Sequence, residues 1–368
     1  MKFALFTKKF TTRTGNERVA TQVATKLSEH GHDVTVYCQK FDTSIEGIFP
    51  ESRIIPLRGL SFDPTLSMWT FAKQAKKMVD SLDSGTTDYL ALGFNHTLVH
   101  DVYRLGGGTH RGFMEDTKHG GRSGGPVVNR MAQSLEIQRF QNPRCKAYIV
   151  PSQKVRRELR QYYDIDEAKI HTIYNGVNLQ KFSPTPKQEK TAELKAEWGI
   201  SSADKTAIFI GQDLRIKGFK HAVSVTKKMG CRLVYVGKVS RPSTIESHIV
   251  WAGERSDVAD CIRACDVLIL PSYYESFSNV TLEALACGVP VVTTKQVGAS
   301  ELLVAGRLEN LVAESPRDFD GLKSGLDTAL SNRAELTPQC RAIAEQNSVE
   351  NFYQRFEEIL TNVYPRSH

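Results

Sequence analysis

"CDVLILPSYYESFSNVTLEALACGVPVVTT", residues 265–294, is the stretch from which the fold can be read. "CDVLILP" is a short apolar run closed by a proline, which reads as a buried strand. "SFSNVTLEALACG" follows, with Ser278 or Asn279 as the expected N-cap and Gly288 as the stop, so a helix is predicted between them. "VPVVTT" is a second apolar, β-branched run and again strand-like. Strand, short loop, helix, strand is the βαβ unit of a parallel sheet, whose ligands sit beyond the carboxyl ends of the strands.

Two glutamates flank the start of that helix, Glu275 just before it and Glu283 about one turn inside. The amides of Phe277, Ser278 and Asn279 are expected to point out of the helix start, where phosphate binds readily. Glu275 could reach past such a phosphate on one side and Glu283 could reach a group on the other. A ligand with a central diphosphate and hydroxyls at both ends, such as a nucleotide-sugar, fits that layout. The plainer alternative is a solvated Glu283 and a Glu275 that compensates the helix dipole.

Working outward, the same alternation fills the chain. "KFALFT", "HDVTVYC", "RIIPL", "YLALGF" and "KAYIVPS" read as strands, with a helix from about Gly15 to His30 stopped at Gly31. A polar segment with two prolines, "NGVNLQKFSPTPKQEK" (175–190), reads as a linker. Strands then resume with "KTAIFIG", "CRLVYVG", "HIVWAG", "DVLILP", "VPVVTT" and "NLVAES", with a helix from about Gly218. Two rounds of alternation predict an α/β protein of two doubly wound, Rossmann-like domains. The expected boundaries are 1–175, 176–345 and a tail helix, 346–368, whose apolar stripe at 352, 353, 356, 359 and 360 must pack on something, the first domain being the expected site.

Composition agrees with two domains. The 368 residues exceed one ordinary core, and 40% hydrophobic with 24% charged residues is the balance of a soluble globular chain. "MKFALFTKKF" offers four apolar residues before Lys8 and Lys9, too few for a signal peptide, and no run approaches the roughly twenty apolar residues of a membrane span. The seven cysteines are odd in number and several lie inside apolar runs, so reduced thiols in a cytoplasmic protein are expected. Cys261 and Cys265 stand one helical turn apart, but no further Cys or His pair completes a metal site.

Charge is unevenly placed. Residues 1–175 hold 25 Lys+Arg against 18 Asp+Glu, a net of +7, and the remainder is balanced at 23 against 23. Between 103 and 160 the count is 12 basic to 4 acidic. An anionic partner for the first half would account for this, and a nucleic acid or an anionic membrane surface would each serve.

"GQDLRIKG", "VWAGERSDVADCIRACDVLILPSYYESFSNVTLEALACGVPVVTT" and "NGVNLQKFSP" together resemble the retaining family-four glycosyltransferases of GT-B architecture, two Rossmann-like domains facing across a cleft. The family hallmark, a Glu, seven residues, then a Glu, is met by Glu275 and Glu283. In the first half "GFNHTLVHDVYRLGGGTHR" is similar to the branch containing the lipopolysaccharide core glucosyltransferases. The resemblance implies that Glu283 binds the donor ribose, Glu275 the hydroxyls of the donor sugar, and the amides of Phe277, Ser278 and Asn279 the diphosphate. It implies further that Arg215 and Lys217 neutralise the leaving nucleoside diphosphate in place of a metal. Their spacing departs from related enzymes, which often have adjacent Arg-Lys or an earlier Arg where Gln212 stands. The family's glycine-rich first loop usually has two glycines, and here Gly15 is followed by Asn16. His110, in "GGGTHR", matches a histidine that many members place beside the reacting sugar.

Two motifs point elsewhere. "DID" (Asp164–Asp166) resembles the metal-binding triplet of the other major glycosyltransferase architecture, but sits near a helix end where acids are common in turns. "KHGGRSGGP" (118–126) has no strand feeding it and reads as a mobile loop near the acceptor. The expectation is a metal-independent, cofactor-free hexosyltransferase using a nucleotide-sugar donor, a UDP-sugar first among them. Its expected acceptor is a cell-envelope glycolipid or oligosaccharide of the lipopolysaccharide-core kind. The enzyme is expected to be cytoplasmic and peripheral on the inner membrane face, with no nucleic acid. The alternatives are a soluble acceptor, or a non-catalytic nucleotide- or nucleic-acid-binding protein.

Overall fold

The computed structural model describes residues 1–12, 15–59, 64–84, 88–118, 126–185 and 188–364. They form two compact units: Met1–Met114, Ser123–Ile173 and Phe352–His368 in the first, Glu115–Arg122 and Tyr174–Asn351 in the second.

The first unit is built on seven strands: β1 (Lys2–Phe10), β2 (Asp33–Phe41), β3 (Ile54–Pro56), β4 (Leu90–Phe94), β5 (Val102–Arg104), β6 (Ala147–Val150) and β7 (Ile170–Thr172). They lie in the order β3-β2-β1-β4-β5-β6-β7, every pair parallel. Its helices are α1 (Gly15–Glu29), α2 (Pro64–Asp83), α3 (His110–Thr117, whose residues from Glu115 onward group with the second unit), α4 (Pro126–Phe140) and α5 (Gln153–Tyr163). The strands read as near-continuous apolar runs because helices cover both faces of a parallel sheet. Two of them, β5 and β7, escape the pattern reading because each is three residues long and carries polar side chains, among them the buried Arg104.

The second unit holds α6 (Gln188–Glu197), β8 (Thr206–Ile210), α7 (Phe219–Lys228), β9 (Arg232–Val236), β10 (Ile249–Gly253), α8 (Val258–Arg263) and β11 (Val267–Leu270). It continues with α9 (Asn279–Ala286), β12 (Val291–Thr294), α10 (Ser300–Ala305), β13 (Val312–Ala313), α11 (Phe319–Ser331), α12 (Arg333–Glu345) and α13 (Val349–Val363), whose residues from Phe352 onward group with the first unit. Its six parallel strands run β10-β9-β8-β11-β12-β13. The direction of winding reverses between β8 and β11, the point at which such sheets bind ligands.

The stretch expected as a linker does begin where the chain passes from the first unit to the second, after Ile173, but it is packed rather than free. Val177 and Phe182 are buried in the core of the second unit, Val177 bridges Ser348, and the carbonyl of Phe182 accepts from Arg341 Nη1 at 2.9 Å. Isolated apolar residues in a polar, proline-bearing stretch show no period, which is why the packing is invisible in the sequence. In the first unit, Phe352, Tyr353, Phe356 and Leu360 of α13 are buried, and Phe356 stacks on Phe94 of β4 with centroids 6.3 Å apart.

All seven cysteines are buried and free. Burial pushes the thiols of Cys38, Cys145, Cys261, Cys287 and Cys340 up to about 12, so none of these is a thiolate at neutral pH.

Candidate active site

In the second unit the loops after β8 and β11 meet beside the switch point. Asp213 shapes the first: its Oδ1 accepts from the amides of Arg215 (3.2 Å) and Ile216 (3.1 Å), and its carbonyl from the amide of Lys217 (2.9 Å). The turn ends at Gly218, with φ 73°, where any Cβ would lie 1.9 Å from the carbonyl oxygen of Pro271. Only glycine fits both the dihedral and the approach. The amide of Tyr273 then donates to Ile216 O at 2.8 Å, locking the β11 loop onto the β8 loop.

This docking brings Lys217 to Glu275, and its ammonium bonds Glu275 Oε1 with both side chains half-buried. The backbone of Glu275 is held from the other side, its amide donating to Gln296 O (3.1 Å) and its carbonyl accepting from Gly298 (3.1 Å). Phe277 is buried, its carbonyl accepting from Ala299 at 2.7 Å and its ring stacking on Tyr174. Arg215 is exposed on the turn.

Ser278 holds the N-cap position of α9, but its side chain does not cap. Its φ of 91° and ψ of 92° swing the hydroxyl away from the helix amides, and Oγ accepts instead from Thr281 Oγ1 at 2.9 Å. A serine at positive φ stores backbone strain, a feature that clusters at ligand clamps. Asn279 Oδ1 accepts from Asn175 Nδ2 at 2.7 Å, so Asn175, missed in the sequence, anchors the helix start. Along α9 the residues left partly exposed are Asn279, Val280 and Glu283, while Thr281, Leu282, Ala284, Leu285 and Ala286 are buried. Glu283 therefore shares a face with Asn279 one turn behind it.

In the first unit His110 opens α3, and its Nε2 is buried with no hydrogen-bond partner among the described residues. Two buried carboxylates that sequence reading passed over hold this helix start. Glu136 accepts from the His110 amide at 2.9 and 3.0 Å and from the Tyr163 hydroxyl. Glu158 accepts from the Thr109 amide (3.1 Å) and hydroxyl (2.8 Å) and pairs with Lys154 at 2.7 Å. Gly15 is the first residue of α1, and the next side chain, Asn16, lies where a Cβ on Gly106 would come within 2.5 Å of its Oδ1. The start of α1 and the "GGGTHR" loop are thus neighbours in this unit.

Asp164 and Asp166 do local work. Asp164, in the left-handed region, closes α5, and Asp166 Oδ1 accepts from Ala168 at 3.0 Å. Among the described residues no group of three or more His, Cys, Asp or Glu could hold a metal ion. Of the 118–126 glycine-rich segment, residues 119–125 lie outside the described residues.

Two family models match the chain in tandem, Glycosyltransferase Family 4 over residues 13–181 and Glycosyl transferases group 1 over 204–332. This chain belongs to the family-four glycosyltransferases. A probable transglycosylase of Burkholderia thailandensis is 26% identical over 86% of the glycosyltransferase chain and 83% of its own length. A D-inositol 3-phosphate glycosyltransferase of Segniliparus rotundus is 33% identical, over 43% of this chain and 38% of its own. The fold is that of WaaG, a glycosyltransferase involved in lipopolysaccharide biosynthesis, with a TM-score of 0.79, 18% identity and coverage of 98% and 100% of the two chains. Anabaena HepE, solved with UDP and glucose, superposes with a TM-score of 0.73 at 18% identity over 98% and 100%. Both likenesses make the architecture GT-B.

Proposed function

We propose that the enzyme transfers a hexose from a nucleotide-sugar, a UDP-sugar first, with retention of configuration and without a metal. The observation that carries this is the Lys217–Glu275 pair at the switch point, beside the strained Ser278 at the start of α9. Glu283, on the open face of α9, takes the ribose hydroxyls. The amides of Phe277, Ser278 and Asn279 take the diphosphate, which is favoured at a helix start. Arg215 and Lys217 stabilise the charge that builds as the diphosphate leaves, the task a divalent ion performs elsewhere. Glu275 holds hydroxyls of the donor sugar once Lys217 turns to the phosphates. With no carboxylate assigned as nucleophile, transfer on the front face is the consistent course, the departing phosphate oxygen accepting the acceptor's proton. In the first unit His110 serves the reacting sugar, and Gly15 permits close backbone approach at the start of α1.

For the acceptor we propose a cell-envelope glycan of the lipopolysaccharide-core kind, a reading supported by the likeness to WaaG. A soluble acceptor is the second reading, favoured by the D-inositol 3-phosphate relative and by the internal use of several arginines in the basic segment. Incubation with a panel of nucleotide-sugars, without acceptor and then with each acceptor class, tests both. Proton NMR of the product gives the anomeric configuration. Absence of turnover or slow hydrolysis with every donor would leave a nucleotide-binding protein without transferase activity.

A further inference from the structure

Parallel neighbours in a sheet are joined by crossovers that usually carry a helix, and the helix covers the sheet face it crosses. Four of the five crossovers in the second sheet do so, through α7, α8, α9 and α10. The fifth does not: Gly237–His248, twelve residues joining β9 to its neighbour β10, contains neither helix nor strand. The steps β8 to β9 and β9 to β10 move the same way along the sheet, so right-handedness puts both crossovers on one face. Side-chain contacts identify that face. Phe209, Tyr235 and Trp251 stand in register across β8, β9 and β10, and Phe219 of α7 packs on all three with centroids 5.0 to 5.9 Å apart.

Beyond α7 the face is left open as a groove of about 910 Å³. Its apolar walls include Val223 of α7, Trp251 of β10 and Phe319 at the start of α11, which is 37% exposed, with Pro242 and Ile245 of the helix-free crossover along one edge. The second unit is electrically balanced as a whole, but this rim is not. Lys220, Lys227 and Lys228 line it against a single acid, Glu246, which already pairs with Lys227 at 2.7 Å.

We propose that this groove docks an amphipathic helix of a partner protein, its apolar stripe on Trp251, Val223 and Phe319 and its flanking acids against Lys220 and Lys228. The occupant stands where the fold's own crossover helix would stand, and its charge follows from the rim. A concave, aromatic-floored seat suits a helix more than a flat bilayer, which meets proteins through protruding apolar and basic groups. This inference does not rest on the donor or acceptor assigned above.

The test uses the full chain and a labelled peptide of about 18 residues, long enough to hold a helix, with leucines at positions i, i+3, i+4 and i+7 and glutamates on the flanks. Its counterpart carries lysines in place of the glutamates. Fluorescence anisotropy should show the acidic peptide binding at least tenfold tighter than the basic one. Phe319→Asp should weaken it at least tenfold while leaving the melting temperature in place, since an added acid in the first turn of α11 suits the helix dipole. The double variant Lys220→Glu, Lys228→Glu should reverse the preference between the peptides. Equal binding of both peptides, no binding of either, or indifference to Phe319→Asp overturns the proposal. Sedimentation with phosphatidylserine vesicles that Phe319→Asp abolishes would overturn it in favour of a membrane contact. A dimer in equilibrium sedimentation that the same variant dissolves would overturn it in favour of a second copy.

Discussion

Lys217 and Glu275, 58 residues apart in the chain, hold each other through a direct ammonium–carboxylate bond at the ends of two loops that a glycine turn has locked together. Both side chains are only about one-fifth exposed, so each group left alone would face a desolvation cost that the pairing offsets. On the proposed assignment, a diphosphate arriving at the start of α9 would compete for Lys217 and free Glu275 for hydroxyl groups. Under that proposal the pair is a preformed stand-in for substrate charge.

From this division of labour, Glu283→Ala should weaken binding of free UDP by about 1.5–3 kcal/mol, roughly ten- to 150-fold, because the ribose loses a charged acceptor. Glu275→Ala should leave UDP affinity nearly intact, since free UDP has no sugar to hold, and should lower turnover instead. Titration calorimetry with UDP beside steady-state rates separates the two. Equal losses of UDP affinity in both variants would contradict the assignment.

Activity should survive chelation. Arg215, Lys217 and the helix-start amides are assigned the charge that a divalent ion would otherwise neutralise. Rates measured after dialysis against EDTA should match those with added magnesium or manganese. A loss in EDTA that manganese restores would return attention to Asp164 and Asp166.

Glu136→Gln tests the support beneath His110. The carboxylate accepts from the His110 amide and the Tyr163 hydroxyl while buried, and burial together with the Glu136 charge pushes the Tyr163 phenol up. An amide of the same size keeps one acceptor but loses the charge, which should cost about 1–3 kcal/mol of stability in urea. If His110 serves the reacting sugar, turnover should fall further than UDP affinity. A variant with wild-type stability and rate would show that the carboxylate supports nothing.

How much of this could be read in the sequence follows from the physics of each part. Long apolar strands and the Glu275–Glu283 spacing are legible because burial on both faces and a fixed helix start each leave a pattern. Glu136 and Glu158 were not, because a buried charged residue on a helix looks like a solvated one until its partners are known. Asn175 was hidden for a related reason: its partner, Asn279, lies 104 residues away. The missing crossover helix is a feature of what the chain lacks, visible only once β9 and β10 are seen to be neighbours.

Glu357 gives the first unit an acid-sensitive contact. Burial alone would raise its carboxyl, but hydrogen bonds from His32 and His30 outweigh this and hold it below the usual range. A carboxyl depressed in the folded state contributes stability above its unfolded value of about 4.3 and loses it as pH falls through the folded value. Urea midpoints should therefore drop as pH falls below about 4.3, and Glu357→Gln should flatten that part of the profile. An unchanged profile in the variant would assign the acid sensitivity to other carboxylates.

The basic segment 103–160 offers less charge to a membrane than its 12 Lys and Arg suggest. Arg104 and Arg139 are buried, Arg144 bridges Asp83 and Asp101, and Lys154 pairs with Glu158 in a nearly dry setting. Among the described residues, exposed basic side chains are those of Arg111, Lys118, Arg130, Lys146, Arg157 and Arg160, and several are already engaged: Lys118 with Glu115, Arg160 with Glu167, and Arg111 with the carbonyl of Tyr162. Each Lys or Arg that reaches an anionic leaflet contributes about 1 kcal/mol, so three or four together give weak, reversible binding with no anchor. That binding should vanish at about 1 M salt, where the Debye length is about 3 Å. Sedimentation with phosphatidylserine and phosphatidylcholine vesicles, at low and high salt, measures it. Charge-reversing Arg130 and Lys146 together should abolish it while leaving UDP affinity unchanged. A protein that ignores anionic vesicles at low salt would remove the physical support for a membrane-borne acceptor and favour a soluble one.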